Sequence, residues 1–253
     1  MTVPTYLPYY VMSGSAGIIA ALLIGMNLAL LRAGWQPSDR KTAVRTFGGI
    51  LIGWFAVAVI LAVLGVYQGV SGSLPTIPYG ILLPILIGSL VLWRSPALSR
   101  LIDAVPQNWI VAVQLYRALG VMFLILYSAG KLPGLFAWPA GAGDVAVGLM
   151  APVIASTYTG DPQGRSGAVA LWNYFGIADL VVAVATGFLT SPSPFQLFAF
   201  ESPNELISIF PLVLIPTFLV PLSVLLHFAS LGKLRRAGAA SDAVAVEGMI
   251  NTN

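Results

Sequence analysis

Three ionisable side chains stand inside long apolar runs of this sequence: Arg117, Asp144 and Asp179. A charge in the middle of a hydrocarbon-crossing segment costs at least ~2.5 kcal/mol on insertion scales, so such a residue is a functional candidate by default. Arg117 lies about ten residues into its run, ~15 Å at the helical rise, and Asp179 is as far from the end of its own. Asp144 sits about six residues, or ~10 Å, inside a third run. These depths predict an Arg117–Asp179 pair, the flexible arginine spanning any offset by snorkelling, with Asp144 nearby. One cation then faces two carboxylates, and full ionisation would leave a net negative charge in a low dielectric. A carboxylate so placed can carry a proton or bind a small cation. The alternative use of such a trio is a purely structural ion pair.

Other polar groups extend the same faces. Gln114 precedes Arg117 by one helical turn, so both lie on one side of their run. Trp172 and Asp179 share a face, which Ala183 and Thr186 continue, whereas Asn173 points toward the side of Gly176. Asn27 in the first run is suited to an interhelical hydrogen bond, as are Gln114 and Asn173, each worth ~1 kcal/mol. Together with the three charges, Gln114, Trp172 and Asn173 form the predicted substrate- or ion-binding set. In the last run Pro211, Pro216 and Pro221 recur at five-residue intervals. Each removes an amide donor and pushes away the carbonyl four residues earlier, at Ile207, Leu212 and Thr217. In lipid those carbonyls must face protein, water or a ligand, and a helix broken in this way is a candidate gate. Glu201, Asn204 and Glu205 ahead of it form an acidic rim. His227, beside the basic stretch Lys233–Arg236, is expected at the membrane interface; alone it makes no metal site.

Gly141-Ala142-Gly143-Asp144 matches Gly-x-Gly-Asp, the signature of intramembrane aspartyl proteases, and Pro96-Ala97-Leu98 spells a second of their elements. That chemistry needs two carboxylates sharing a proton around a water. The order is reversed here, however: in those proteases the partner aspartate precedes Gly-x-Gly-Asp and Pro-Ala-Leu follows it. The glycines are better explained by close packing of the helix that carries Asp144, with Gly148 one turn on.

The elements that must hold these groups are membrane spans. Only 8% of the 253 residues are charged, whereas about 25% is usual in a soluble domain. So few charges cannot cover a water-soluble surface, and a net charge of +3 without a basic patch offers nothing to nucleic acid. Cysteine is absent and histidine occurs once, so no disulfide, iron–sulfur cluster or multi-histidine site can form, and no cofactor is expected. At about 20 residues per crossing, charges and Pro/Gly/Ser clusters divide the chain into seven runs. They are Tyr10–Leu31, Phe47–Gln68, Pro78–Trp93, Asn108–Gly130, Trp138–Ser156, Ala168–Leu189 and Glu205–Ser230. Ala97–Val105 is expected to lie along the interface. The predicted fold is therefore all-α, a seven-helix transmembrane domain over residues 1–232 followed by a basic juxtamembrane segment and disordered tail over 233–253.

Orientation follows from the basic residues. With the N-terminus outside and the C-terminus cytoplasmic, Arg32, Arg40, Lys41, Arg45, Arg94, Arg100, Arg165, Lys233, Arg235 and Arg236 fall inside, and only Lys131 falls outside. Rhodopsins share this topology, but no lysine lies between Lys131 and Lys233 to form a retinal Schiff base. The third and seventh runs share upstream prolines and a basic end in register, as a three-plus-one-plus-three repeat would produce; two unrelated apolar helices with basic ends look the same. Seven-helix sugar transporters carry Pro-Gln pairs within helices, whereas Pro106-Gln107 and Pro162-Gln163 fall at a helix start and in a loop, so no family is assigned. The expectation is a multi-pass protein of a cytoplasmic-type (plasma) membrane: a small ion- or proton-coupled transporter or ligand-binding protein. Its partners would be the bilayer and a small molecule or ion. The rivals are an intramembrane aspartyl-type enzyme using Asp144 and Asp179, and a receptor-like or assembly subunit whose buried charges are structural.

Overall fold

The computed structural model describes residues 3–68, 74–158 and 166–250. Among the described residues every regular element is helical, and seven helices are long and apolar enough to cross a membrane. In chain order these are α1 (Leu7–Arg32), α2 (Pro37–Val63), α3 (Ile77–Arg94), the short α4 (Pro96–Ala104), α5 (Gln107–Ser128), α6 (Gly134–Thr157), α7 (Ser166–Thr190) and α8 (Val220–Ile250). A π-helical turn, Ile215–Leu219, leads into α8. Arg165, Pro162-Gln163 and the Ser71-Gly72-Ser73 break lie outside the described residues.

Local sequence explains where the helices begin and stop. The first four each carry proline in their first turn, where the missing amide is no loss. α1 and α5 close on Gly34 and Gly130, at φ +73° and +67°. The next residues, Trp35 and Lys131, donate back to the carbonyls of Leu30 and Leu126, which the left-handed glycine permits. α2 starts well before the expected Phe47. No breaker separates Pro37 from the apolar run, so the helix extends through Arg40, Lys41 and Arg45.

The last span is the hub of the bundle. In its most apolar window 56% is buried, against 11% for α3. α3 leans on it through two glycines: a Cβ on Gly80 would lie 2.7 Å from Thr217 Cγ2, and one on Gly88 would lie 2.5 Å from Leu225 Cδ1. Phe218 is fully buried with the rings of Trp54 and Phe55 each 4.8 Å away, joining α2 to the centre. Outward-facing side chains such as Ile50, Leu86, Val153 and Leu171 are more than 60% exposed. An apolar belt of this extent suits lipid rather than water.

Two features differ from the sequence-based expectation. The span predicted over Glu205–Ser230 becomes helical only at Ile215; before it lie a 3-10 turn, Leu206–Ser208, and irregular chain. Pro211 and Pro216 remove the amides that a helix begun at Glu205 would need. The irregular segment is nevertheless packed inward, with Leu206, Leu212, Val213 and Leu214 fully buried. The span is thus displaced along the chain, and its continuation through 237–250 is helical where a disordered tail is expected from the sequence. That stretch is rich in alanine, the strongest helix former.

α4 is amphipathic and buries no residue fully, as an interfacial helix should. Ser95 caps its start by accepting from the Leu98 amide at 3.2 Å. Its other end is held by α8: Lys233 Nζ donates to the carbonyls of Ile102, Asp103 and Val105, and Arg236 pairs with Asp103 at 2.7 Å.

Candidate functional site

Arg117 lies in a 3-10 stretch of α5, Val113–Gly120. At three residues per turn, side chains three apart eclipse, so Gln114, Arg117 and Gly120 form one inward line, and these are the three buried residues of the stretch. The guanidinium is almost fully buried and reaches three other helices. Its Nε donates to Asp144 Oδ1 on α6 at 2.8 Å, and its Nη2 to Asp179 Oδ2 on α7 at 2.5 Å. Its Nη1 donates to the Gly176 carbonyl on α7 at 3.1 Å and meets His227 Nε2 on α8 at 3.2 Å. The expected Arg117–Asp179 pair is therefore present, and Asp144 is a second direct partner rather than a bystander.

His227 is the member that sequence reasoning misses. The sequence places it at the interface, yet it is fully buried in the cluster. Counting the last span from Ile215 instead of Glu205 would have put it mid-helix. Its tautomer is set by its neighbours. Asn173 uses its amide protons on the Val169 carbonyl and on Ser230 Oγ, at 2.7 and 2.9 Å, so its Oδ1 must accept from His227 Nδ1 at 2.8 Å. That leaves Nε2 unprotonated to accept from Arg117, and the imidazole is neutral. Gln107 Nε2 completes the series by donating to Ser230 Oγ at 2.6 Å. A buried chain of side chains thus runs from Gln107, at the start of α5, through Ser230, Asn173 and His227 to Arg117.

Trp172, predicted for the site, stands beside His227 with ring centroids 5.1 Å apart, and its indole donates to the Val147 carbonyl. It does not reach the carboxylates. Gln114 donates to the Ser223 carbonyl at 3.1 Å, one 3-10 turn from the guanidinium. Pro211, Pro216 and Pro221 stand at the entry to α8, before, within and just after the π turn.

Glycines make the cluster possible. A Cβ on Gly143 would overlap the Asp179 carboxylate, and one on Gly120 would lie 2.5 Å from Asp144 Cβ. On Gly176 it would meet the His227 ring at 2.5 Å and Arg117 Nη1 at 3.1 Å. The glycine before Asp144 therefore makes room for the other aspartate. Gly148 serves the close packing expected of it: its Cβ would stand 2.5 Å from the Ala118 amide nitrogen.

Beside the cluster is a cavity of about 40 Å³. Asp144 and Arg117 line it, with Tyr10 of α1, Tyr116 and Phe123 of α5, and aliphatic side chains that include Leu219. Both tyrosine hydroxyls are engaged, Tyr10 on the Leu119 carbonyl at 2.7 Å and Tyr116 on Ser223 Oγ at 2.5 Å. Among the described residues no three His, Cys, Asp or Glu side chains converge as a metal site would require.

Seven helices of spanning length and apolarity, around a buried arginine paired with two aspartates, suggest a multi-pass integral membrane protein. The chain belongs to the family described as a domain of unknown function, DUF8737, which matches residues 74–235. That range holds every member of the charge cluster and of the Gln107–His227 chain. No curated protein and no solved structure matches the chain.

Proposed function

We propose that this protein is a small ion- or proton-coupled membrane transporter, or a ligand-binding membrane protein built on the same plan, whose working site is Arg117 with Asp144 and Asp179. Its N-terminus lies outside and its C-terminus in the cytoplasm of a plasma-type membrane, as the ten-to-one distribution of basic residues argues. Arg117 organises the site, the aspartates take up and release positive charge, and the proline-interrupted entry to α8 gates it through Pro211, Pro216 and Pro221. The observation that carries this reading is the charge count. One guanidinium serves two carboxylates, the only histidine is neutral, and the cluster borders a cavity. A buried set with one charge in deficit favours binding of a proton or cation.

The aspartyl-enzyme alternative fits the geometry less well. Each carboxylate is engaged by its own guanidinium nitrogen, whereas a catalytic dyad shares one proton around a water. A purely structural ion triad would need no cavity at the carboxylate.

The test is reconstitution into liposomes that carry an internal pH dye, with an imposed proton or cation gradient. Wild type is expected to move charge, and Asp144→Asn and Asp179→Asn to lower the rate at least ~10-fold, about 1.4 kcal/mol in barrier terms, while remaining monodisperse in detergent. Equal rates in all three proteins, or no flux in wild type under either gradient, would overturn the reading.

A further inference from the structure

The basic residues of α8 face in two directions. Lys233 donates to the carbonyls of Ile102, Asp103 and Val105, and Arg236 pairs with Asp103, so both are spent on holding α4. Two positions along a helix amount to ~200° of rotation, and Arg235 accordingly stands on another side of α8 from Lys233. It is exposed and forms no ion pair with any described residue. There it lines a groove between α7 and α8, whose other walls are Gly167, Ala170 and Tyr174 of α7 and Leu231 and Leu234 of α8. Above Gly167 the groove is open: a Cβ there would meet nothing within 4 Å.

α7 begins at the end of the bundle where Arg235 lies, and side chains tilt toward the N-terminus of their own helix. Arg235 therefore leans back over Leu231 toward the membrane interior. Tyr174, ~12 Å in from Ser166 at the helical rise, leans the other way, toward the mouth. Tyr174 is 52% exposed, and its hydroxyl has no hydrogen-bond partner among the described residues. A hydroxyl left unpaired in hydrocarbon is costly. The groove thus offers a free guanidinium at its mouth, an unpaired hydroxyl below it and an apolar floor. Phosphate, glycerol esters and acyl chain follow one another in that order in a phospholipid. A guanidinium takes phosphate through two parallel hydrogen bonds. No groove residue is acidic, so the ammonium of a zwitterionic headgroup finds no partner here. A second copy of the chain would bring its own Arg235 to a face with no carboxylate to receive it. We propose that the α7–α8 groove binds one anionic phospholipid, its phosphate on Arg235, an ester oxygen on the Tyr174 hydroxyl and an acyl chain along Leu231 and Ala170. In the proposed orientation that lipid belongs to the cytoplasmic leaflet. The site stands apart from the Arg117 cluster and does not depend on transport.

The experiment is thermal unfolding of the purified full-length protein in a neutral detergent at fixed ionic strength. It is titrated with dioleoylphosphatidylglycerol, dioleoylphosphatidylcholine or inorganic phosphate. A saturable rise in midpoint is expected with phosphatidylglycerol, a smaller one with phosphatidylcholine and none with phosphate. Arg235→Gln should weaken the apparent affinity for phosphatidylglycerol ~5-fold, the worth of one basic residue near an anionic lipid surface. Gly167→Leu, which fills the groove from α7 where space is open, should abolish the rise without removing a charge. Arg100→Gln takes an equally exposed charge from α4 and should bind like wild type, which separates a site from general attraction. An equal rise with phosphatidylcholine or phosphate, wild-type affinity in Gly167→Leu, or an equal loss in Arg100→Gln and Arg235→Gln would each overturn the site. A midpoint that rises with protein concentration alone, and no longer does so in Gly167→Leu, would assign the groove to a second copy of the chain instead.

Discussion

Arg117 meets its four acceptors from one planar group. Its nitrogens reach Asp144, Asp179, the Gly176 carbonyl and His227 along diverging directions. A lysine ammonium presents three donors from a single point and cannot span that set. Arg117→Lys is therefore expected to leave a buried carboxylate unpaired and to destabilise the protein by ~3–5 kcal/mol. The change should appear as a lowered unfolding midpoint in detergent; a wild-type midpoint would mean that this cluster does not bind α5, α6 and α7 together. The three charges at its heart were legible in the sequence because an ionisable residue in an apolar run stands out. Their setting was not. Gly120, Gly143 and Gly176 are lost among 26 glycines, and no residue type marks the places where a Cβ would displace a carboxylate or the imidazole. Gln107 and Ser230 are buried hydrogen-bonding partners of kinds that membrane helices carry routinely, so only the packing of α5 against α8 reveals them.

Two departures from regular α-helix set the registers on which the site depends. The 3-10 stretch of α5 aligns Gln114, Arg117 and Gly120, and the π turn at Ile215–Leu219 sets the face that α8 presents to them. The seven spans were legible from length and apolarity, and the three prolines announced an interruption. Where the last helix begins was not legible, because prolines also occur in continuous membrane helices and hydropathy does not fall before Ile215. A span counted from Glu205 ends with His227 at the interface, whereas the fold places it in the core. Pro221 holds the π turn open, since it offers no amide to the Thr217 carbonyl. Pro221→Ala restores that donor and lets the turn tighten. Each residue removed from such an offset rotates the downstream helix by ~100°, which would carry His227 and Ser223 away from α5. Alanine is the better helix former by ~3 kcal/mol in a helix interior, yet the variant is expected to unfold at a lower temperature than wild type. A higher midpoint would show that the site tolerates a regular α8.

For the whole molecule, the proposed function makes orientation decide which side loads the site. The cavity lies between the start of α1 and the half of α5 that leads to Ser128. The opposite half is filled by the Gln107–Ser230–Asn173–His227 chain. Amide side chains hold such a chain in place but do not relay a proton without exchanging their bonds, so under the proposed function this half would act as a seal. With the N-terminus outside, as proposed, the cavity would face the exterior and the seal the cytoplasm. The absence of cysteine allows a direct test with single introduced thiols. Ser38 at the start of α2 and Ala129 at the end of α5 are both exposed, and neither belongs to the site. In right-side-out vesicles an impermeant maleimide is expected to label Ala129→Cys at once and Ser38→Cys only after the membrane is opened. The opposite pattern would place ten basic residues outside. It would turn the cavity toward the cytoplasm, and a site of the proposed kind would then load from within.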